Sequence, residues 1–145
     1  RVLTKGETLP TFICKPLQER IWSILRKTSC FRLIGEEVTQ EVIRDLVARA
    51  RSFYGTDQNL IWVSGDYSAA TDGINPFLSQ MILKEILDEL SVPDFVRSSA
   101  ERLLGSHVIS YPGDDSGEMT FIQQTGQLMG SIVSFPILCI MNLLT

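Results

Sequence analysis

The chain has 145 residues, 44% of them hydrophobic, and a net charge of −4. That is enough for one domain with a core, or for part of a larger one, and the negative balance argues against binding nucleic acid by overall basicity. Cys14, Cys30 and Cys139 are an odd count without a close pair, which fits a reducing compartment and excludes a cysteine zinc site within the chain. His107 is the single histidine, so Ser-His and His-metal chemistry have little to work with. The longest apolar run, 132–144, is shorter than the ~20 residues that span a bilayer and contains Ser134, Pro136 and Asn142. The chain begins on Arg1 and ends within an apolar run, and we expect an internal piece of a longer polypeptide.

Charge is unevenly spread. Residues 1–55 hold ten Lys/Arg and six Asp/Glu, and residues 56–145 hold three and eleven, so +4 is followed by −8. Such a split is compatible with phosphate contacts from the first segment and metal contacts from the second, and equally with ordinary helix surfaces. In chain order, 1–16 reads as strand and loop, broken at Lys5-Gly6 and Leu9-Pro10, with Arg1, Lys5 and Lys15 as spaced cations. The segment 16–27 predicts a helix, with Pro16 in its first turn, Leu17, Ile21, Ile24 and Leu25 on one face, and Arg26-Lys27 at its end. A short apolar piece, 31–34, ends at Gly35. The spacing of Val38, Val42, Ile43, Leu46, Val47, Ala50 and Phe53 predicts a supporting amphipathic helix, stopped by Gly55.

The apolar run 60–63 predicts a short buried strand. Asp66 follows where the strand would surface, and Asp72 follows after the small residues Ser68, Ala69 and Ala70. Two acids with so little bulk between them suit a hard divalent cation and a polar substrate. A plain Asp-rich turn fits the same residues. Asn75-Pro76 predicts a helix start, with Phe77, Leu78, Met81, Ile82, Ile86, Leu87 and Leu90 on its buried face. A second helix is expected from about Pro93 to Gly105, with Phe95, Val96, Ala100, Leu103 and Leu104 inward. Segments 107–111 and 119–123 predict a β-hairpin with a polar tip.

The stretch 124–142 divides into a loop with Gly126 and Gly130, where backbone can approach a ligand closely, and a helix apolar nearly all round. Ser134 suits its N-cap, with Pro136 tolerated in the first turn. Ser131 and Ser134 would point hydroxyls toward whatever lies at the helix start. A glycine-rich turn into a core helix is the simpler reading of the same residues.

Taken together, these stretches resemble a known family. Ser-Gly-Asp-Tyr-Ser-Ala-Ala-Thr-Asp (64–72) resembles motif A of viral RNA-dependent RNA polymerases. Gly-Gln-Leu-Met-Gly-Ser (126–131), with Ser-Phe-Pro and Asn142 beyond it, looks like motif B of the ourmiavirus and narnavirus-like branch. Arg-Val-Leu-Thr-Lys-Gly (1–6) is similar to the tail of basic motif F. Pro-Leu-Gln (16–18), Leu-Arg-Lys (25–27) and Phe-Arg-Leu-Ile-Gly (31–35) resemble the segment joining F to A. The resemblance runs over essentially the whole chain and implies an α+β fold, a partial right-hand palm with a short antiparallel sheet and packed helices, plus part of the fingers. It implies a fingers-side segment at 1–55 and a palm segment at 56–145.

The resemblance assigns Asp66 to magnesium (or manganese) and Asp72 to the ribose 2′-hydroxyl. It assigns Gly130, Ser131 and Ser134 to the loop that meets template and incoming nucleotide, Asn142 to sugar selection, and Arg1 and Lys5 to the nucleotide's phosphates or base. The implied partners are template RNA, nascent RNA and NTPs, with no membrane segment. The implied location is the host cytoplasm, with the mitochondrion as the alternative. A 2′-hydroxyl is the handle that separates RNA from DNA, and Asp72 with small neighbours can accept its hydrogen bond.

Gly113-Asp114-Asp115 imitates the Gly-Asp-Asp of motif C, but it precedes motif B and is flanked by turn residues, so a hairpin tip is expected. Motif C is then expected beyond Thr145, and residues 1–145 alone are expected not to polymerise RNA. A reverse transcriptase or another palm-type nucleotidyltransferase is an alternative; the acid at 72 and the Gly-Gln-Leu-Met-Gly-Ser segment argue against it. A non-catalytic viral remnant or partner-binding scaffold is another, against which the intact Asp66 and Asp72 speak mildly.

Overall fold

Asn75 and Pro76 set the start of the central helix. In the computed structural model, which describes residues 4–31, 35, 37–55, 59, 61, 63, 65, 67–111 and 119–144, the Asn75 side chain accepts from the Phe77 N–H at 2.9 Å and Pro76 opens helix α4 (Pro76–Glu89). This satisfies one orphan donor of the first turn and puts proline where no donor is needed. Helix α2 (Lys15–Leu25) also carries its proline in the first turn. Helix α3 (Gln40–Tyr54) is capped by Thr39, whose hydroxyl accepts from the Val42 N–H, and ends at Gly55 with φ +92°.

Helix α1 (Thr8–Ile13) lies where strand and loop were expected. Pro10 is its third residue, still within the turn whose N–H groups have no intrahelical partner, so it does not break the helix.

Two compact units result, residues Arg1–Leu25 with Ala69–Thr145, and residues Arg26–Ser68. In the first, α4 packs on α5 (Asp94–Leu104) and on α6 (Ser134–Leu144), α2 packs on α6, and α1 packs on α5. The core residues Leu17, Ile21 and Leu25 follow an i, i+4, i+8 stripe on α2, and Trp22 sets its ring 5.5 Å from that of Phe135 on α6. On α4 the buried stripe is Ser79, Leu83 and Leu87. This is rotated from the expected face: Phe77 is 71% exposed and Met81 48%. Apolar residues occupy more than one side of α4, so periodicity alone does not pick the packed side. Burying Leu83 and Leu87 completely contributes about 1.5–3 kcal/mol each. Arg97–Asp88 and Arg102–Glu7 are exposed ion pairs that add little.

Cys14 is buried, and burial raises its thiol to about 11. Burial also raises the Cys139 thiol, while Cys30 is exposed; all three are free.

Strands β1 (Val108–Tyr111) and β2 (Met119–Ile122) pair antiparallel, Val108 opposite Ile122 and Tyr111 opposite Met119, as the hairpin reading expects. The tip, with Gly113-Asp114-Asp115, lies outside the described residues. The fold is therefore α+β, with a small two-stranded antiparallel sheet among the described residues.

The second unit holds a 3₁₀ turn at Ser29–Phe31 and α3. Of the stripe expected to be buried on α3, Val42 is buried, whereas Ile43, Leu46 and Phe53 are 41, 42 and 82% exposed. The expected buried strand at 60–63 is not formed among the described residues: Ile61 and Val63 are 86 and 89% exposed, and Leu60 and Trp62 lie outside the described set. A strand needs neighbours to take up its N–H and C=O groups, and the described strands, β1 and β2, pair with each other.

Candidate functional site

The glycine-rich segment 124–133 owes its shape to bonds with separate parts of the first unit. Gly126 N–H donates to the Ile74 carbonyl and Gln127 N–H to the Thr71 carbonyl, each at 2.9 Å. These two bonds lay the loop along the turn that carries Asp72. Gly126 has φ +78°, and a Cβ there would stand 2.7 Å from the carbonyl oxygens of both Thr71 and Asp72. Only glycine meets both demands. The Gln123 amide closes the inner side by donating to the Gly126 carbonyl at 2.8 Å.

Farther along, Gly130 N–H donates to the Thr4 hydroxyl at 3.1 Å. A Cβ on Gly130 would fall onto the Thr4 carbonyl. The Gln18 amide donates to the Ile132 carbonyl at 3.0 Å. Three stretches far apart in sequence, at Thr4, Thr71–Ile74 and Gly126–Gly130, therefore meet.

Among the expected site residues, Asp72 is exposed and accepts from the Thr71 hydroxyl at 3.3 Å. Lys5 is exposed and adjoins Thr4. Ser131 is buried, and its hydroxyl has no hydrogen-bond partner, alone in this among the buried side-chain N and O atoms of the described residues. Such a group costs about 1–3 kcal/mol until something bonds to it.

Ser134, expected as an N-cap, instead donates its buried hydroxyl to the Gln127 Oε1 at 2.8 Å, and the Val133 carbonyl takes the first helical bond, from Ile137 N–H. Asn142 lies exposed in the last turn of α6, about 12 Å along the axis from Ser134. Arg1 and Asp66 lie outside the described residues.

Residues not singled out in the sequence complete the arrangement. The Gln127 Nε2 donates to the Ser79 hydroxyl at 2.6 Å, and Ser79 is 0% exposed. The signal for Ser79 was its place in register with Leu83 and Leu87; a polar residue on a packed stripe must find a partner. Thr4 and Thr71 carried no comparable signal, because their contribution runs partly through backbone groups.

Among the described residues an apolar groove of about 560 Å³ lies between α2 and the start of α5, and another of about 310 Å³ lies between α2 and α4; none of the expected site residues lines either. Among the described residues no three His, Cys, Asp or Glu side chains stand together as a metal site, and no helix is long and apolar enough to cross a membrane. Magnesium takes one or two carboxylates with phosphate oxygens and water. Asp72 is the one described member of the expected acid pair, so the described residues do not by themselves fit a complete magnesium site.

No family model and no solved structure matches the chain. A curated protein does: the RNA-dependent RNA polymerase of Ourmia melon virus (isolate Melon/Iran/VE9) is 35% identical over 152 residues, which cover 99% of this chain and 18% of that polymerase. Over nearly its whole length, this chain is thus related to a segment of a viral RNA-dependent RNA polymerase.

Proposed function

We propose that the chain is a catalytic segment of a viral RNA-directed RNA polymerase that copies an RNA genome by nucleotidyl transfer. The observation that carries the reading is the meeting of Thr4, the Asp72 turn and the Gly126–Gly130 loop. Each stretch belongs to a different motif of the resemblance, and all three would be needed around one nucleotide. The related polymerase supports the enzyme class.

In this proposal residues 1–55 form the fingers side and 56–145 the palm. Lys5, with Arg1 near it in sequence, meets the triphosphate. The exposed Asp72 carboxylate accepts from the ribose 2′-hydroxyl. Gly130 and Ser131 meet template and incoming nucleotide, Gly130 holding the loop against Thr4 and Ser131 carrying an unused hydroxyl. Ser134 acts through Gln127, and Asn142 contributes to sugar selection from α6. Asp66 would hold Mg2+ or Mn2+, which supplies charge neutralisation in the two-metal chemistry of phosphoryl transfer. Replication then takes place in the host cytoplasm or the mitochondrion, with template RNA, nascent RNA and NTPs as partners.

Asp72→Ala, in the polymerase that carries this segment, tests the reading. A hydrogen bond to a charged acceptor gives about tenfold to a hundredfold discrimination, and the preference for NTPs over dNTPs should fall by that factor in competitive primer extension. Unchanged discrimination would remove Asp72 from sugar sensing, and a wild-type preference for dNTPs would point to a reverse transcriptase.

A further inference from the structure

We infer that Gln127 is a positioning residue for sugar selection, acting on Asp72 through a buried relay that joins α6, the glycine loop and α4. The inference rests on the polymerase reading above and adds to it a residue and a route.

The relay has a consistent direction. Ser134 Oγ donates to Gln127 Oε1 at 2.8 Å, Gln127 Nε2 donates to Ser79 Oγ at 2.6 Å, and Ser79 Oγ donates to the Asn75 carbonyl at 3.3 Å. Gln127, Ser79 and Ser134 are 6, 0 and 2% exposed. A buried primary amide satisfied at both ends has one orientation, and breaking either end leaves a buried polar group unpaired.

The relay ends on the segment that carries Asp72. Asn75 is three residues beyond it and also caps α4 through its own side chain. The backbone of the same glutamine donates to Thr71, and that of Gly126 to Ile74. The turn 71–75 is therefore fixed at Thr71, Ile74 and Asn75 by Gly126, Gln127 and Ser79, while the Asp72 side chain between these points stays exposed. Gln127 does not touch the exposed carboxylate in any hydrogen bond described for it. Its effect on nucleotide choice runs through the position of the turn.

The test is incorporation of NTPs and dNTPs by the polymerase carrying this segment. Gln127→Met keeps the volume and removes both side-chain bonds. It should lower the ribonucleotide preference about fivefold or more, mainly by raising KM for the NTP, with kcat changed less. Ser79→Ala should move the ratio in the same direction by a smaller factor. Adding Gln127→Met to Asp72→Ala should cost little further selectivity, because both act on one contact. A lowered unfolding temperature with unchanged selectivity would make the relay purely structural and overturn the inference, as would full additivity with Asp72→Ala. If Gln127→Met fails to fold, Ser79→Ala and Ser134→Ala decide, and wild-type selectivity in both would overturn it. A wild-type enzyme that adds no nucleotide would overturn the polymerase reading, and this inference with it. A wild type that prefers NTPs, with variants that match it, would overturn the relay alone.

Discussion

Gly126→Ala should destabilise the chain severely and, on the proposed polymerase reading, remove nucleotide addition with it. The residue holds φ +78°, and a Cβ would stand 2.7 Å from two backbone oxygens, those of Thr71 and Asp72. A non-glycine residue in that region costs about 1–3 kcal/mol. The clash adds overpacking of about 1–3 kcal/mol, because backbone carbonyls tied into a turn cannot swing away as a long side chain can. The sum is a large share of the roughly 5–15 kcal/mol that holds a domain folded. Relief of the clash must push the Asp72 turn off the loop and break the bonds from Gly126 and Gln127. Gly73→Ala is the control. It adjoins Asp72, has no positive φ and meets nothing within 4 Å, so its effect should stay within about 0.5 kcal/mol. Thermal unfolding of the two variants, compared with the parent polymerase, checks the contrast. Equal stability for the pair would mean that the loop does not lie on the turn as described.

On the proposed polymerase reading, Asp66→Ala should reduce nucleotide addition by about a thousandfold or more. The resemblance assigns this carboxylate to metal binding, and charge stabilisation of that kind amounts to several kcal/mol in the transition state, each 1.36 kcal/mol being tenfold in rate. The effect should fall on kcat rather than on KM for the nucleotide, since the charge it offsets develops during transfer. Single-turnover primer extension separates the two. Near-normal turnover would take Asp66 out of the metal site and leave the acidic stretch as an ordinary turn.

Local chemistry was legible: Asn75-Pro76 starts α4, Gly55 ends α3, and β1 and β2 pair at the expected residues, whereas the Thr39 cap that starts α3 was not picked out. Signals that depend on a partner were less so. The apolar run 60–63 has strand composition, yet Ile61 and Val63 are exposed, since strand formation rests on neighbours. On α4, apolar residues on several sides hid the Ser79–Leu83–Leu87 stripe. Leu9-Pro10 looked like a break because the sequence does not say which turn of a helix a proline will occupy.

The candidate site shows the same division. Gly126 and Gly130 could be picked out because close backbone approach requires glycine. What they approach, Thr71, Asp72 and Thr4, became visible only in three dimensions. Ser134 was read as a cap from its place before an apolar helix, but α6 takes its first bond at the Val133 carbonyl, so Ser134 is already inside the helix and its hydroxyl donates to Gln127 Oε1. Glutamine in a loop has no periodicity to reveal it.

Hydrogen exchange on the polymerase carrying this segment, with template, primer and a non-reacting NTP, tests the central claim most directly. The account predicts that amide exchange slows together at 4–6, 71–74 and 126–131 when the nucleotide binds, with little change on α3. Slowing confined to other segments, or at only one of the three stretches, would contradict it.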